Sequence, residues 1–163
     1  MIRAFVAPDR LPVLELLQAT DNFTAIEIDI AMELIDTIIE QSAQQYYHAY
    51  VDAVGPDVTG FVLLGPVPAT TGTWDMYWIA VHPHHHGSGV ATALDCFAEE
   101  FVQSRGGYWI LAETSSQTSY ERTRAFYRKR NYQVIARIPD YYRCHDDLII
   151  FGKRLKPDGG EIE

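Results

Sequence analysis

The sequence predicts an α/β fold, a mixed and mostly antiparallel sheet of about seven strands flanked by about four helices. Three observations carry that prediction. Apolar residues recur with period two in some segments and with helical spacing in others. Breaks containing glycine, proline or asparagine separate those segments. The order is β-α-α-β-β-β-α-β-α-β-β, in which hairpins outnumber βαβ units.

Each element has its own warrant. Ile2 to Val6 reads as a strand, and Leu11, Leu14 and Leu17 follow at helical spacing. Thr24 predicts a helix start, with Glu27 three residues on completing a capping box. Ile26, Ile30, Leu34 and Ile38 then form one apolar stripe, with Glu27, Glu33, Asp36 and Glu40 largely off it. "YYHAYVDAV" and "TGFVLLG" read as strands joined at Gly55-Pro56-Asp57. In "WDMYWIAVHP", Trp74, Met76, Trp78 and Ala80 share one face and Asp75, Tyr77, Ile79 and Val81 the other, as in a central strand. Val90, Leu94, Phe97 and Phe101 predict a helix over about 89–104, ended by Gly106-Gly107. "YWILAET" is a strand and "YERTRAFYRKR" a helix, with Asn131 where a left-handed cap is wanted. "YQVIARI" and "DLIIFGKRL" close a single domain over 1–155, and 156–163 reads as a frayed tail.

At 163 residues the chain is long enough for one well-buried core. A net charge of −9 argues against nucleic acid and points toward a cationic or amine-bearing ligand. No apolar run reaches the roughly 20 residues of a membrane span, and the start lacks a signal-peptide pattern, so the expected compartment is the cytoplasm. Cys96 and Cys144 are too few for a disulfide framework.

The most informative stretch is "HPHHHGSGVATAL". A strand, then Gly87-Ser88-Gly89, then a helix presents free backbone N–H groups to an anion. A Walker loop is excluded because no Gly-Lys-Ser/Thr follows. A dinucleotide fingerprint fails at Thr92, where it wants a third glycine. Metal is a rival use for the histidines. His82 and His84 fit one side of an extended chain, but His85 and His86 enter a turn, so no metal is expected.

"WIAVHPHHHGSGVATAL" resembles the acetyl-CoA-binding segment of the GNAT N-acetyltransferase superfamily, whose motif is Q/R-x-x-G-x-G/A. Here it reads His86-Gly87-Ser88-Gly89-Val90-Ala91, with His86 replacing the opening Gln or Arg. "AFYRKRNY" and the following "IPDYY" extend the likeness over about 61–155, closest in style to ribosomal-protein alanine acetyltransferases.

The resemblance implies an acyl-CoA N-acyltransferase fold with splayed central parallel strands. It implies acetyl-CoA as cosubstrate and direct acetyl transfer to a primary amine of a small molecule or peptide. Cofactor contacts would come from Ile79, Ala80 and Val81 toward the pantetheine arm, and from His86, Gly87, Ser88, Gly89, Val90 and Ala91 toward the diphosphate. The family's asparagine seven residues before Tyr127 is here Tyr120, so Ser119 would take over its contact. Glu113, ending its strand at the cleft edge, would be the general base, with partial burial raising its pKa. Asp75 is the lesser candidate. Tyr127 would be the general acid to the thiolate. His86, partly cationic, would favour the coenzyme at lower pH. The acceptor pocket would use Tyr141-Tyr142 and acidic residues such as Glu33 and Asp36. A nucleophilic Cys144 is disfavoured because the adjacent His145 would point away from it. A homodimer through the late strands fits the family. Two other classes stay open: a non-catalytic acyl-CoA-binding module and a histidine-loop metal-binding protein.

Overall fold

The computed structural model describes residues 1–155, so the expected frayed tail lies outside the described residues. The elements follow as β1 (Ile2–Ala4), α1 (Arg10–Ala19), α2 (Ala25–Glu40), β2 (His48–Val54), β3 (Asp57–Pro66) and β4 (Thr73–Val81). Then come α3 (Val90–Ser104), β5 (Trp109–Ser115), α4 (Glu121–Lys129), β6 (Gln133–Arg143) and β7 (Asp146–Arg154). The seven strands form one sheet in the order β1-β2-β3-β4-β5-β7-β6. Only β4 and β5 run parallel, and they pair for just three residues, Thr73–Asp75 against Trp109–Leu111. Beyond Asp75 the two strands part, and the wedge between them is the entrance to the site.

Each face of the sheet carries its own core. On one, α3 and α4 pack Leu94, Ala98, Val102 and Tyr127 against Val62, Ile110 and Phe151. On the other, α1 and α2 pack Val13, Leu17 and Ile35 against Val51, Phe61 and Leu63. Gly60 lets α3 approach β3 closely, since a Cβ there would lie 2.6 Å from Val90 Cγ1.

Two local expectations are corrected by the packing. In β4 the pairing with β3 shifts between Leu63, opposite Trp78, and Leu64, opposite Met76, so Tyr77 is an inserted residue. A β-bulge of this kind inverts the alternation beyond it. Trp74 and Met76 therefore join the α3/α4 core, whereas Trp78 and Ala80 join the α1/α2 core. In α2 the capping box is present, Thr24 Oγ1 accepting from the Glu27 N–H and the Glu27 carboxylate accepting from the Thr24 N–H. Its buried stripe, however, is Ala31, Met32 and Ile35, while Ile26 and Ile30 are exposed.

Candidate functional site

Two cavities meet where β4 and β5 part. The larger, about 510 Å³, runs from Trp78–Val81 past the glycine loop to α4. The smaller, about 310 Å³, lies on the α2 side of the sheet against Asp75, Leu111 and Tyr142. Phe23, Tyr77, Trp78, Glu113, Thr114 and Tyr120 border both, so the cavities share a junction.

The glycine loop forms one end of the larger cavity. Gly87 and Gly89 have φ of 79° and 92°, a left-handed backbone that favours glycine. Gly89 is the N-cap of α3 and no side chain caps the helix, which leaves the first N–H groups, from Val90 to Thr92, open to an anion. Gly87, Gly89, Val90 and Ala91 line the cavity, as do Ile79, Ala80 and Val81. Ser88 is not among its lining residues: both its N–H and its hydroxyl donate to the His85 carbonyl, at 3.3 and 2.6 Å. Ser119 borders neither cavity; Tyr120 occupies that place instead.

His86 has a different role from the one its position suggests. One ring nitrogen, Nε2, is 2.8 Å from the Val81 carbonyl, and the other, Nδ1, is 2.9 Å from Arg122 Nη1. A guanidinium only donates and a carbonyl only accepts, so this arrangement requires the uncharged ring with its proton on Nε2. The cation at the loop is thus Arg122, which lines the cavity and is held there by His86. Arg122 lies 36 residues away in sequence, and nothing in the loop motif announces it.

Along the floor, Tyr127 is enclosed, with 4% of its surface exposed and its ring against Tyr132 and Phe151. No hydrogen bond to its hydroxyl is found among the described residues, and none of their fully buried side-chain polar atoms lacks a partner, so the hydroxyl opens onto the cavity that the residue lines. Burial, and then the nearby Asp95, hold the phenol above its ordinary pKa. It therefore remains a proton donor throughout the neutral range.

At the junction, Glu113 is exposed, not half-buried as expected. Asp75 is the group whose ionisation is perturbed: burial first, then the Glu113 charge, push its carboxyl up to about 6. No hydrogen bond or ion pair reaches the Asp75 carboxylate among the described residues. Tyr77 is pushed up to about 12 by burial, Asp75, Tyr47 and Glu113. Tyr142 reaches about 12 through burial and then Glu113. The Tyr120 hydroxyl donates to Glu27 Oε1 at 2.9 Å and bridges α2 to the start of α4 over the junction.

Of the other acidic candidates, Asp36 is paired with Arg10 at 2.6 Å, and exposed Glu33 borders neither cavity. Tyr142 does line the smaller cavity, whereas Tyr141 does not. In the histidine loop, His82 Nδ1 accepts from the His84 N–H and His86 is spent on Val81 and Arg122. Among the described residues, one group of metal-ligand type brings its donor atoms within 4.8 Å of one another, the exposed Asp140, Cys144 and His145. The left-handed backbone at His145, φ 64°, turns adjacent side chains together that were expected to diverge. This cluster borders neither cavity.

Residues 30–134 match the family model described as an acetyltransferase (GNAT) domain. A crystal structure from Desulfovibrio desulfuricans, assigned to the same family, is 36% identical over 96% of this chain and 99% of that one, with a TM-score of 0.92. The chain belongs to the GNAT acetyltransferase family. Other GNAT-type folds share the architecture at lower identity. An aminoglycoside 6′-N-acetyltransferase complexed with coenzyme A is 19% identical over 96% of this chain and 98% of that one, with a TM-score of 0.73. The Escherichia coli ribosomal-protein-S18-alanine N-acetyltransferase is 15% identical over 100% and 98%, with a TM-score of 0.78. No curated protein matches the chain. Among the described residues, no helix of this GNAT protein is long and apolar enough to cross a membrane.

Proposed function

We propose that the protein is an acetyl-CoA-dependent N-acetyltransferase that moves the acetyl group directly to a primary amine. The observation that carries this reading is the junction. A cleft with open N–H groups and an unpartnered phenol meets a second cavity bearing carboxylates.

Acetyl-CoA enters as a substrate. In the reading, the N–H groups of Gly87 and Gly89–Ala91 take its diphosphate with Arg122, and Ile79–Val81 pair with the pantetheine arm where β4 and β5 no longer pair with each other. Glu113, bordering both cavities, takes the proton of the incoming ammonium directly or through water. The freed amine attacks the thioester carbonyl, a C–N bond forms and the C–S bond breaks. Tyr127 gives its proton to the departing sulfur. The proton taken by Glu113 leaves to solvent, and the second proton that the nitrogen loses as the amide forms restores the phenol, directly or through water.

The exposed Val134, Ile135, Ile138 and Tyr141 on edge strand β6 support pairing of two copies. Two free cysteines and a coenzyme substrate support a cytoplasmic location.

Calorimetric titration of acetyl-CoA, followed by CoA release across an amine panel, tests the reading. Micromolar binding with amine-dependent release that Glu113→Gln suppresses is the expected result. Binding with no release from any amine would make the protein an acyl-CoA-binding module, and no binding at all would remove the reading.

A further inference from the structure

The smaller cavity has a one-sided chemistry. Glu27, Asp75 and Glu113 line it, and among the described residues no lysine, arginine or histidine does. Its remaining walls are largely aromatic: Phe23, Tyr77, Trp78, Tyr120 and Tyr142. Nor do the carboxylates stand as an isolated surface cluster. The cavity opens through the shared junction into the cleft that the Tyr127 hydroxyl faces.

The three acids are not equivalent. Glu27 is already engaged, accepting from the Thr24 N–H at 2.7 Å and from Tyr120 at 2.9 Å. Glu113 stands at the junction, within reach of whatever amine reacts there. Asp75 borders the smaller cavity and not the coenzyme cleft, and among the described residues no cation pairs with it. Asp75 and Glu113 repel one another, and either protonation of Asp75 or a bound cation relieves that repulsion. A single ammonium serves one of the two, and it loses its charge on reacting. A second ammonium on the same molecule would pair with Asp75, and aromatic faces around it favour a cation with an alkyl linker.

We infer that the acceptor is a diamine or polyamine without a carboxylate, one amine reacting beside Glu113 while a second ammonium is held by Asp75. This rests on the acetyltransferase reading and names its acceptor class. An acceptor carrying its own carboxylate, such as a free amino acid, meets only like charge in this cavity.

Matched acceptors test the inference, with CoA release measured at saturating acetyl-CoA. 1,5-Diaminopentane differs from n-pentylamine by the second amine, and from lysine by a missing carboxylate. Spermidine and an aminoglycoside complete the panel and separate linear from aminosugar polycations. The kcat/KM for the diamine is expected to exceed that of each matched compound by about ten-fold. Asp75→Asn is expected to bring the diamine-to-monoamine ratio toward one. In the unaltered protein, added salt is expected to raise KM for the diamine more than for the monoamine. Equal rates for pentylamine, or for lysine, would overturn the inference and leave amine acetylation standing. Tight acetyl-CoA binding with no amine turned over would overturn both.

Discussion

Asp75 gives the most exacting test of the junction, because its ionisation is disfavoured in the fold. The free carboxyl titrates at 3.8 and the folded one at about 6. Between those values the folded state binds the proton more tightly than the unfolded chain. Stability is therefore undiminished below the unfolded value and falls as pH rises through about 6. Two units at about 1.4 kcal/mol each set a ceiling near 3 kcal/mol. Asp75 is only half-buried, so solvent screening reduces this to about 1 kcal/mol. Asparagine has the same shape and no charge, and no protein hydrogen bond to the carboxylate is lost in the exchange. Asp75→Asn is accordingly expected to raise Tm by about 2–4 °C at pH 8 and to leave it unchanged at pH 4. Thermal unfolding of both proteins across that range, without ligand, is the assay. A stabilisation independent of pH, or a variant less stable at pH 8, would refute the electrostatic argument. If the acceptor is a diamine, as inferred above, the same substitution is expected to reduce its turnover, so a gain in stability and a loss of function are expected together.

Tyr127→Phe keeps the ring among Tyr132 and Phe151 but removes the phenolic proton. Single-turnover rates are expected to drop by about 10²–10³-fold while calorimetric affinity for acetyl-CoA holds. Arg122→Ala is expected to weaken acetyl-CoA binding by about ten-fold at low salt, with less loss for a pantetheine thioester that lacks the diphosphate. Asp95 is fully buried, accepting from Arg130 at 2.6 Å and from the Tyr132 hydroxyl at 2.8 Å. Asp95→Ala strands the buried Tyr132 hydroxyl, and urea unfolding is expected to show a loss of about 3 kcal/mol.

The order of elements was legible because hydrophobic period and turn residues are local properties. Thr24 with Glu27, and Gly87 with Gly89, announce helix starts without reference to anything distant. What failed to appear in the sequence depends on partners elsewhere. Alternation along "WDMYWIAV" is unbroken, and only the pairing with β3 reveals Tyr77 as an inserted residue that turns Trp78 and Ala80 to the other core. In α2, isoleucines surround the helix, so two apolar stripes compete. The one at Ile26 and Ile30 lost the core, and Ile30 lines the smaller cavity instead. Asp75 looked peripheral because its desolvation comes from packing, and its second perturbation from the charge of Glu113 across the sheet.

The two departures from the family motif are each matched by a residue remote in sequence. His86 stands where Gln or Arg is usual, and its ring, fixed by the Val81 carbonyl, receives Arg122 from the start of α4. Tyr120 stands where asparagine is usual, and its hydroxyl reaches Glu27, whose other oxygen closes the α2 capping box. Both replacements thus lead from one short segment, 120–122, to opposite walls of the site: the glycine loop through His86 and the smaller cavity through Glu27. A site released from its function has no reason to keep hydrogen-bonded partners for substituted residues, since an exposed Arg122 is free to adopt many rotamers. The partnered geometry supports a rewired site over a decayed one. It also ties the entrance of α4 to both cavities, so under the proposed function Tyr120→Phe is expected to change KM for the acceptor through Glu27 and the start of α2.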